Sequence, residues 1–312
     1  MTTDKNEWYV IVNPHAGSGK TMSKWTIAEA RLKELSIGYV CVLTERKFHA
    51  VELAEAAAAK GYRKFLPVGG DGSLHEVLKG IMRYCDSTGT SPSEFFLSMI
   101  PIGSGNDWVR SLGNTHDVLK SVDMLRNGRC CRQDVIRLRD SKGEVSYMVN
   151  TGGFGFDSDV CLRVNSQKEQ GLRSRLIYIA AIVYTVTHMK SFHACMKADG
   201  ETFYDGEAFS VSIGNGHYSG GGLRLASMAL IDDGMMDIMI IPKISLLRIA
   251  FEIRRVFFGT IHKCGAIVYK RCRTLEITTD PCLNYELDGE VETELPVSLE
   301  VVEEQINVLR QA

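Results

Sequence analysis

The chain has 312 residues, 45% of them hydrophobic and 24% charged, with a formal net charge of −2. That length accommodates two domains, each with its own core, and the balanced charge gives no electrostatic case for nucleic-acid binding. The longest apolar run, Leu176 to Val186, is about half of the ~20 residues a membrane span needs, so a soluble chain is expected.

In chain order, the first 130 residues or so alternate strand and helix patterns. Strands are predicted at Trp8–Val12, Tyr39–Leu43, Lys64–Val68 and Phe95–Ile100, and helices at Met22–Leu35, His49–Lys60, Leu74–Tyr84 and His116–Asn127. Alternation of this kind predicts an α/β domain, a parallel sheet with helices on both faces, over residues 1–134. The C-terminal tail 298–312 is a candidate to return to it. From 135 to 297 short β-type runs dominate: Val135–Leu138, Ser146–Asn150, Ala208–Ile213, Met236–Ile241, Leu275–Thr279 and Tyr285–Asp288. They predict a mainly antiparallel β-sandwich with helical insertions at Gly171–Met189 and Ser245–Ile261, and an interdomain cleft. The nine cysteines are odd in number and lack a CxxC pair, and MTTDKNEW lacks the features of a signal peptide. Reduced thiols and a cytoplasmic location are expected.

Three glycine-rich loops end three of the early strands. Gly69-Gly-Asp-Gly-Ser73 leads from an apolar strand into a helical pattern, where helix N–H groups and the positive end of the dipole suit a polyphosphate. The plainer reading is a tight turn with Asp71 as an N-cap. Asn13-Pro-His-Ala-Gly-Ser-Gly19 invites a P-loop reading and fails it, because Pro14 stands where that motif needs glycine. In Pro101-Ile-Gly-Ser-Gly-Asn-Asp107 the third glycine of a dinucleotide fingerprint is missing. Ser104, Asn106 and Asp107 can still donate and accept around a nucleotide. Ligands of such sheets bind beyond the carboxyl ends of the strands, so the convergence of three loops there is the signal.

Together, Asn13-Pro…Gly17, Gly69-Gly-Asp-Gly-Ser-x-x-Glu76 and Pro101-x-Gly-Ser-x-Asn-Asp107 resemble the diacylglycerol kinase catalytic domain family, and in particular its soluble bacterial lipid kinases. Sphingosine kinases share the motifs. Gly220-Gly-Gly…Asp232-Asp-Gly-Met-Met-Asp237 is similar to the family's metal loop, and Leu287-Asp-Gly-Glu290 to its acidic catalytic motif. Ser73 and Ser104 replace a commoner threonine, and His75 stands where asparagine is frequent. The resemblance implies an ATP- and Mg²⁺-dependent lipid kinase. Its nucleotide would be held by Asn13, Pro14, Gly17, Thr44, Gly69, Gly70, Asp71, Gly72, Ser73, Glu76, Ser104, Asn106 and Asp107. It also implies a structural Mg²⁺ on Asp233 and the backbone carbonyls of Leu230 and Met235. Asp134 would touch the catalytic magnesium through water.

For the chemistry, the resemblance favours Glu290 as proton acceptor with Asp288 beside it, and Asp71 as the alternative base. Two residues apart on an extended segment, Asp288 and Glu290 would face one side. An Asp-Gly hairpin turn explains the same residues. The segment Ile244–Lys263 mixes Leu246, Leu247, Ile249, Phe251, Val256 and Phe257 with Arg248, Arg254, Arg255 and Lys263. It suits either an anionic membrane surface or a half-buried helix with snorkelling cations. The expected partners are a membrane lipid substrate, such as diacylglycerol or a sphingoid base, and the inner membrane face as a peripheral contact. A homodimer stays open. Two rivals remain: an NAD kinase-like enzyme sharing Gly-Gly-Asp-Gly, and a catalytically inactive nucleotide-binding regulator.

Overall fold

The first apolar run becomes a central strand because both of its faces find helices to cover them. The computed structural model describes residues 5–103, 105–156, 158, 159, 162, 184, 185, 188, 190–245, 248, 251, 252, 254–292 and 296–311. In it β1 (Lys5–Val12) lies between β2 (Tyr39–Leu43) and β3 (Tyr62–Gly69), all three parallel. Side chains alternate across the strand. Trp8, Val10 and Val12 face α1 (Thr21–Glu34), whose Trp25, Ala28 and Leu32 form an i, i+3, i+7 stripe. Tyr9 and Phe65 face the other way, into an aromatic group with Tyr62, Phe95 and Tyr84. Tyr84 belongs to α3 (Asp71–Thr88), which packs on α2 (His49–Ala59). A Cβ on Gly80 of α3 would stand 2.3 Å from the Val51 carbonyl, so this helix pair needs a glycine at its crossing.

The strand expected at Phe95–Ile100 is interrupted, and Pro67 explains why. It forms two pieces, β4 (Phe96–Leu97) and β5 (Ile100–Pro101), both parallel to β3. Ser98 N–H donates to Phe65 O at 3.1 Å, and Ile102 N–H donates to Gly69 O at 2.7 Å. Between those two points β3 offers this neighbour Pro67, which has no N–H to give. The ladder breaks there.

After α4 (Asp107–Ser111) and α5 (Val118–Asn127) the chain forms β6 (Arg129–Gln133) at the sheet edge. The place between β4 and β6 is filled from the far end of the sequence by the last strand, Ile306–Arg310. It runs parallel to β4 and antiparallel to β6. One compact unit therefore comprises residues 1–135 and 302–312, and a second comprises 136–301.

The second unit is built on an antiparallel sheet of eleven described strands: β7 (Ile136–Asp140), β8 (Val145–Met148), β9 (Thr151–Gly155), β10 (Phe192–Ala198), β11 (Glu201–Gly214), β12 (Met236–Pro242), β13 (Val268–Cys272), β14 (Thr274–Asp280), β15 (Tyr285–Leu287), β16 (Glu290–Glu292) and β17 (Pro296–Val301). The strand that returns to the first unit is β18. One apolar core, including Leu138, Phe154, Met196, Val211, Ile238, Leu275 and Leu299, draws on strands from β7 to β17. The insertion expected at Gly171–Met189 lies almost wholly outside the described residues. Of that expected at Ser245–Ile261, a short helix α6 (Arg254–Phe258) is described, with Val256 turned inward.

Candidate active site

The glycines of the first unit lock its three loops to one another. Gly69 O accepts N–H bonds from both Ile102 and Gly103, at 2.7 and 3.1 Å. Gly70 and Gly103 lie back to back: a Cβ on Gly103 would stand 2.8 Å from Gly70 Cα, and one on Gly70 would stand 3.4 Å from Gly103 Cα. Gly17 takes φ +57, and a Cβ there would meet the Ile102 carbonyl oxygen at 2.7 Å. The bare backbone at Gly103 and Gly17 thus serves loop-against-loop packing. Asn13 continues the lattice. Its N–H donates to Val68 O at 3.1 Å, its Oδ1 accepts from His15 N–H at 3.0 Å, and its Nδ2 reaches Ser73 Oγ at 3.4 Å. Pro14 follows in the turn, half-buried, and Thr44 joins from β2, buried, donating its N–H to Val12 O at 2.9 Å.

Asp71 and Asp107 meet across this lattice. The helix α3 begins at Asp71, three residues earlier than the periodicity suggests, because extended Gly70 takes the N-cap position. Asp71 and Gly72 are its first two residues, both half-buried. Asp71 Oδ1 accepts the Trp108 N–H of α4 at 3.2 Å. Two helix N-termini therefore favour its negative charge. Asp71 Oδ2 and Asp107 Oδ2 lie 3.1 and 3.5 Å from the point where a Cβ on Gly105 would stand. Arg110 Nε, 3.6 Å from Asp107 Oδ1, offsets part of this paired negative charge. Asn106, left-handed at φ +50, donates Nδ2–H to Gly103 O at 2.8 Å, while its buried Oδ1 has no hydrogen-bond partner among the described residues. Ser104 lies outside the described residues.

Two expected nucleotide or metal residues hold neighbouring structure. Glu76 accepts the N–H groups of Phe48 and Ala50, at 3.1 and 3.2 Å, and so caps α2. Asp134, buried after β6, accepts from Gln305 Nε2 at 2.9 Å. Trp108, also buried, donates its indole N–H to Gln133 Oε1 at 2.9 Å and ties α4 to β6. Trp108, Gln133 and Gln305 carry no motif, and nothing in a single sequence marks them.

In the second unit the Asp-Gly pair makes a two-residue hairpin between β15 and β16, with φ +49 at Asp288 and +93 at Gly289. Two positive φ values match the right-handed twist of the flanking strands. The extended geometry expected for Asp288–Glu290 is therefore replaced by a turn, and the two carboxylates do not share one extended face. Asp288 is 2% exposed; its Oδ1 accepts N–H bonds from Asn150 and Thr151, at 3.0 and 3.1 Å, and its Oδ2 one from Val149 at 3.2 Å. That carboxylate holds the β8–β9 turn. Glu290, half-buried at the start of β16, stands opposite Leu287. Asn150 is the hub that sequence reading missed. Its carbonyl accepts the N–H groups of Asn215 and Gly216 at 2.8 and 2.6 Å, and its Nδ2 donates to Tyr218 O at 2.9 Å. The polar breaks Asn150-Thr-Gly-Gly and Gly214-Asn-Gly216 are the signals that could have found it.

The fit to magnesium differs between the two proposed positions. Asp71 and Asp107 suit Mg²⁺ delivered with a nucleotide, since that ion takes one or two carboxylates together with substrate phosphates. Asp233 does not suit a structural ion. Its Oδ1 accepts Met235 N–H at 3.1 Å and its Oδ2 is ion-paired with Arg271. The positive charge of the loop comes from the chain itself. Arg271 Nε also lies 3.6 Å from Asp237, whose carboxyl burial pushes up to about 6, against the pull of the guanidinium.

The first unit is thus a parallel α/β sheet with an acid-bearing glycine lattice, and the second an antiparallel β unit that carries an acidic hairpin. Residues 7–138 match the diacylglycerol kinase catalytic domain, and residues 150–310 match the YegS C-terminal NAD kinase beta sandwich-like domain. The chain belongs to the diacylglycerol kinase family in this two-domain form, and by family it is a lipid kinase. It is 26% identical over 301 residues to a diacylglycerol kinase of Staphylococcus aureus, covering 96% of this chain and 90% of that one. A solved diacylglycerol kinase from Bacillus anthracis str. Sterne superposes with a TM-score of 0.79 at 22% identity, covering 99% and 98% of the two chains. An NAD kinase from Archaeoglobus fulgidus in complex with ATP shares the fold more distantly, with a TM-score of 0.50 at 11% identity and coverage of 97% and 94%.

Proposed function

We propose that the chain transfers the γ-phosphoryl group of ATP to a hydroxyl of a membrane lipid of the diacylglycerol type, at the cytoplasmic face of the membrane. The observation that carries this reading is the pair Asp71 and Asp107, facing one point beside Gly105 within three interlocked strand-end loops. Phosphoryl transfer is mainly positioning and charge neutralisation. The glycine lattice supplies the positioning: loops tied by Gly69 O and by the Gly70–Gly103 contact present their backbone at the ends of β1, β3 and β5. Bound with ATP, Mg²⁺ would neutralise phosphate charge, and Asp71 and Asp107 are the residues that would hold it. In the second unit Asp288, committed to three N–H groups, fixes the hairpin, and Glu290 is the carboxylate of that motif assigned to take the acceptor's proton. The family and the intact acids support the kinase over an inactive regulator.

The test is direct. Purified protein receives γ-labelled ATP and Mg²⁺ with diacylglycerol, a sphingoid base or NAD, and products are identified by mass. Labelled phosphatidate is the expected product. Phosphorylation of NAD with no labelled lipid would move the chain to the NAD kinase reading.

A further inference from the structure

We infer that α6 and the loop Tyr218–Ile231 of the second unit form a docking surface for an anionic lipid bilayer. The inference rests on the lipid-kinase reading and adds to it the surface by which the enzyme reaches a substrate embedded in a membrane.

Helix and loop are one packed piece. Arg224 N–H donates to Val256 O at 3.2 Å, and Ser227 Oγ and His262 Nδ1 lie 2.9 Å apart. Beneath them Val256, Ile261 and Cys264 form a small core with Met239, against which Leu223 and Leu225 pack. That core does not absorb the large apolar side chains above it. Among the described residues the three most exposed large hydrophobics are Phe258 of α6 at 74%, Phe251, three residues before α6, at 58%, and Leu230 of the loop at 51%. Met228 of the loop is exposed as well.

The charge around them selects the occupant. Arg224, Arg248, Arg254 and Lys263 are exposed, while Glu252 is ion-paired with Arg255. The Arg254 guanidinium lies 4.2 Å from the Phe251 ring centroid, which sets a cation beside an apolar tip. Aromatic side chains that enter the acyl boundary, flanked by long cations at the level of phosphate headgroups, match an anionic bilayer in depth and in sign.

The test uses sedimentation with vesicles of phosphatidylcholine, with and without phosphatidylglycerol, in the absence of ATP and acceptor. The full chain should bind the anionic vesicles and bind neutral ones weakly. Arg248→Glu with Arg254→Glu should weaken anionic binding by about fivefold or more per cation. Phe251→Ser with Phe258→Ser should reduce binding to both compositions. Both double variants should keep the parental melting temperature and parental turnover on a short-chain, water-soluble acceptor. Equal parental binding to both vesicles, or variants that sediment like the parent, would overturn the inference. So would a parental dimer that the Phe251→Ser, Phe258→Ser variant dissociates without change in vesicle binding, which would make the face a contact between copies. Vesicle binding by a protein that phosphorylates no lipid would refute the kinase reading and leave the surface standing.

Discussion

Asp288 and Glu290 lie two residues apart in one motif, yet their substitution should damage the protein in different ways. In Asp288→Asn the side chain keeps one carbonyl oxygen, which can still accept from Asn150 and Thr151. The new amide then faces Val149 N–H, donor against donor, in a site that is 2% exposed. A buried N–H left unsatisfied costs ~1–3 kcal/mol, and exchanging charged for neutral acceptors weakens the two remaining bonds. Asparagine tolerates the left-handed backbone at this position, so little strain is added. The sum is roughly 2–4 kcal/mol against the second unit, a fall of about 5–15 °C in its melting transition. Glu290→Gln touches a half-buried side chain and should change stability by only about 0.5 kcal/mol in either direction. It removes the assigned base, which typically costs ~10²–10⁴-fold in rate. Differential scanning calorimetry and turnover per folded molecule on an accepted lipid, measured in parallel, separate the two. Should Asp288→Asn melt with the parent while turnover collapses, Asp288 takes part in the chemistry and the anchoring role assigned to it is wrong.

Three further outcomes follow from the same geometry. Gly103→Ala places a Cβ 2.8 Å from both Gly70 Cα and Asn106 Oδ1, so it should weaken ATP binding by calorimetry and lower the melting temperature; parental ATP affinity would show that the loops are not interlocked. Because Arg271 supplies the cation at Asp233, the melting temperature without nucleotide should not respond to EDTA or added Mg²⁺, and Arg271→Gln should lower it; a parental Mg²⁺ response abolished by Asp233→Ala would restore the metal. Asp237 binds its proton more tightly when folded, so its contribution to stability falls as pH rises from its unfolded value near 3.8 through about 6. Asp237→Asn should therefore gain melting temperature relative to the parent at pH 7.5 and lose that gain by pH 4, and a gain independent of pH would exclude the linkage.

What was legible in the sequence is what is local. The apolar runs at Trp8, Tyr39 and Lys64 each carry their own strand signal, and the glycines that follow carry their own turn chemistry, so the α/β unit and its loop-bearing edge could be read in advance. The purpose of Gly103 could not be, because the atom its Cβ would meet belongs to Gly70. Asp233 teaches the same lesson. Its local pattern reads as a cation loop, and the ion pair that its carboxylate makes is with Arg271, 38 positions away. Asp288 was legible as a turn and as an acid but not as an anchor, since the three N–H groups it receives lie more than a hundred positions upstream. Pro67 is a signal that sequence reading passed over: its missing N–H inside the strand predicted at Lys64–Val68 bears on the break between β4 and β5.

The return of β18 to the first sheet sets an order of events on the ribosome. At roughly 5–20 residues per second, the first unit is synthesised early and then waits while the whole second unit emerges. Until Ile306–Arg310 arrives, β4 and β6 have no strand between them, Asn114 lacks the Leu309 carbonyl that its side chain binds, and Asp134 lacks Gln305. The nascent first unit thus holds open an edge of its sheet while the second unit is made. A stop before Gln305 would remove both β18 and the side chain that donates to Asp134. It would leave the sheet of the first unit with a gap, and Asp134 without the hydrogen bond from Gln305.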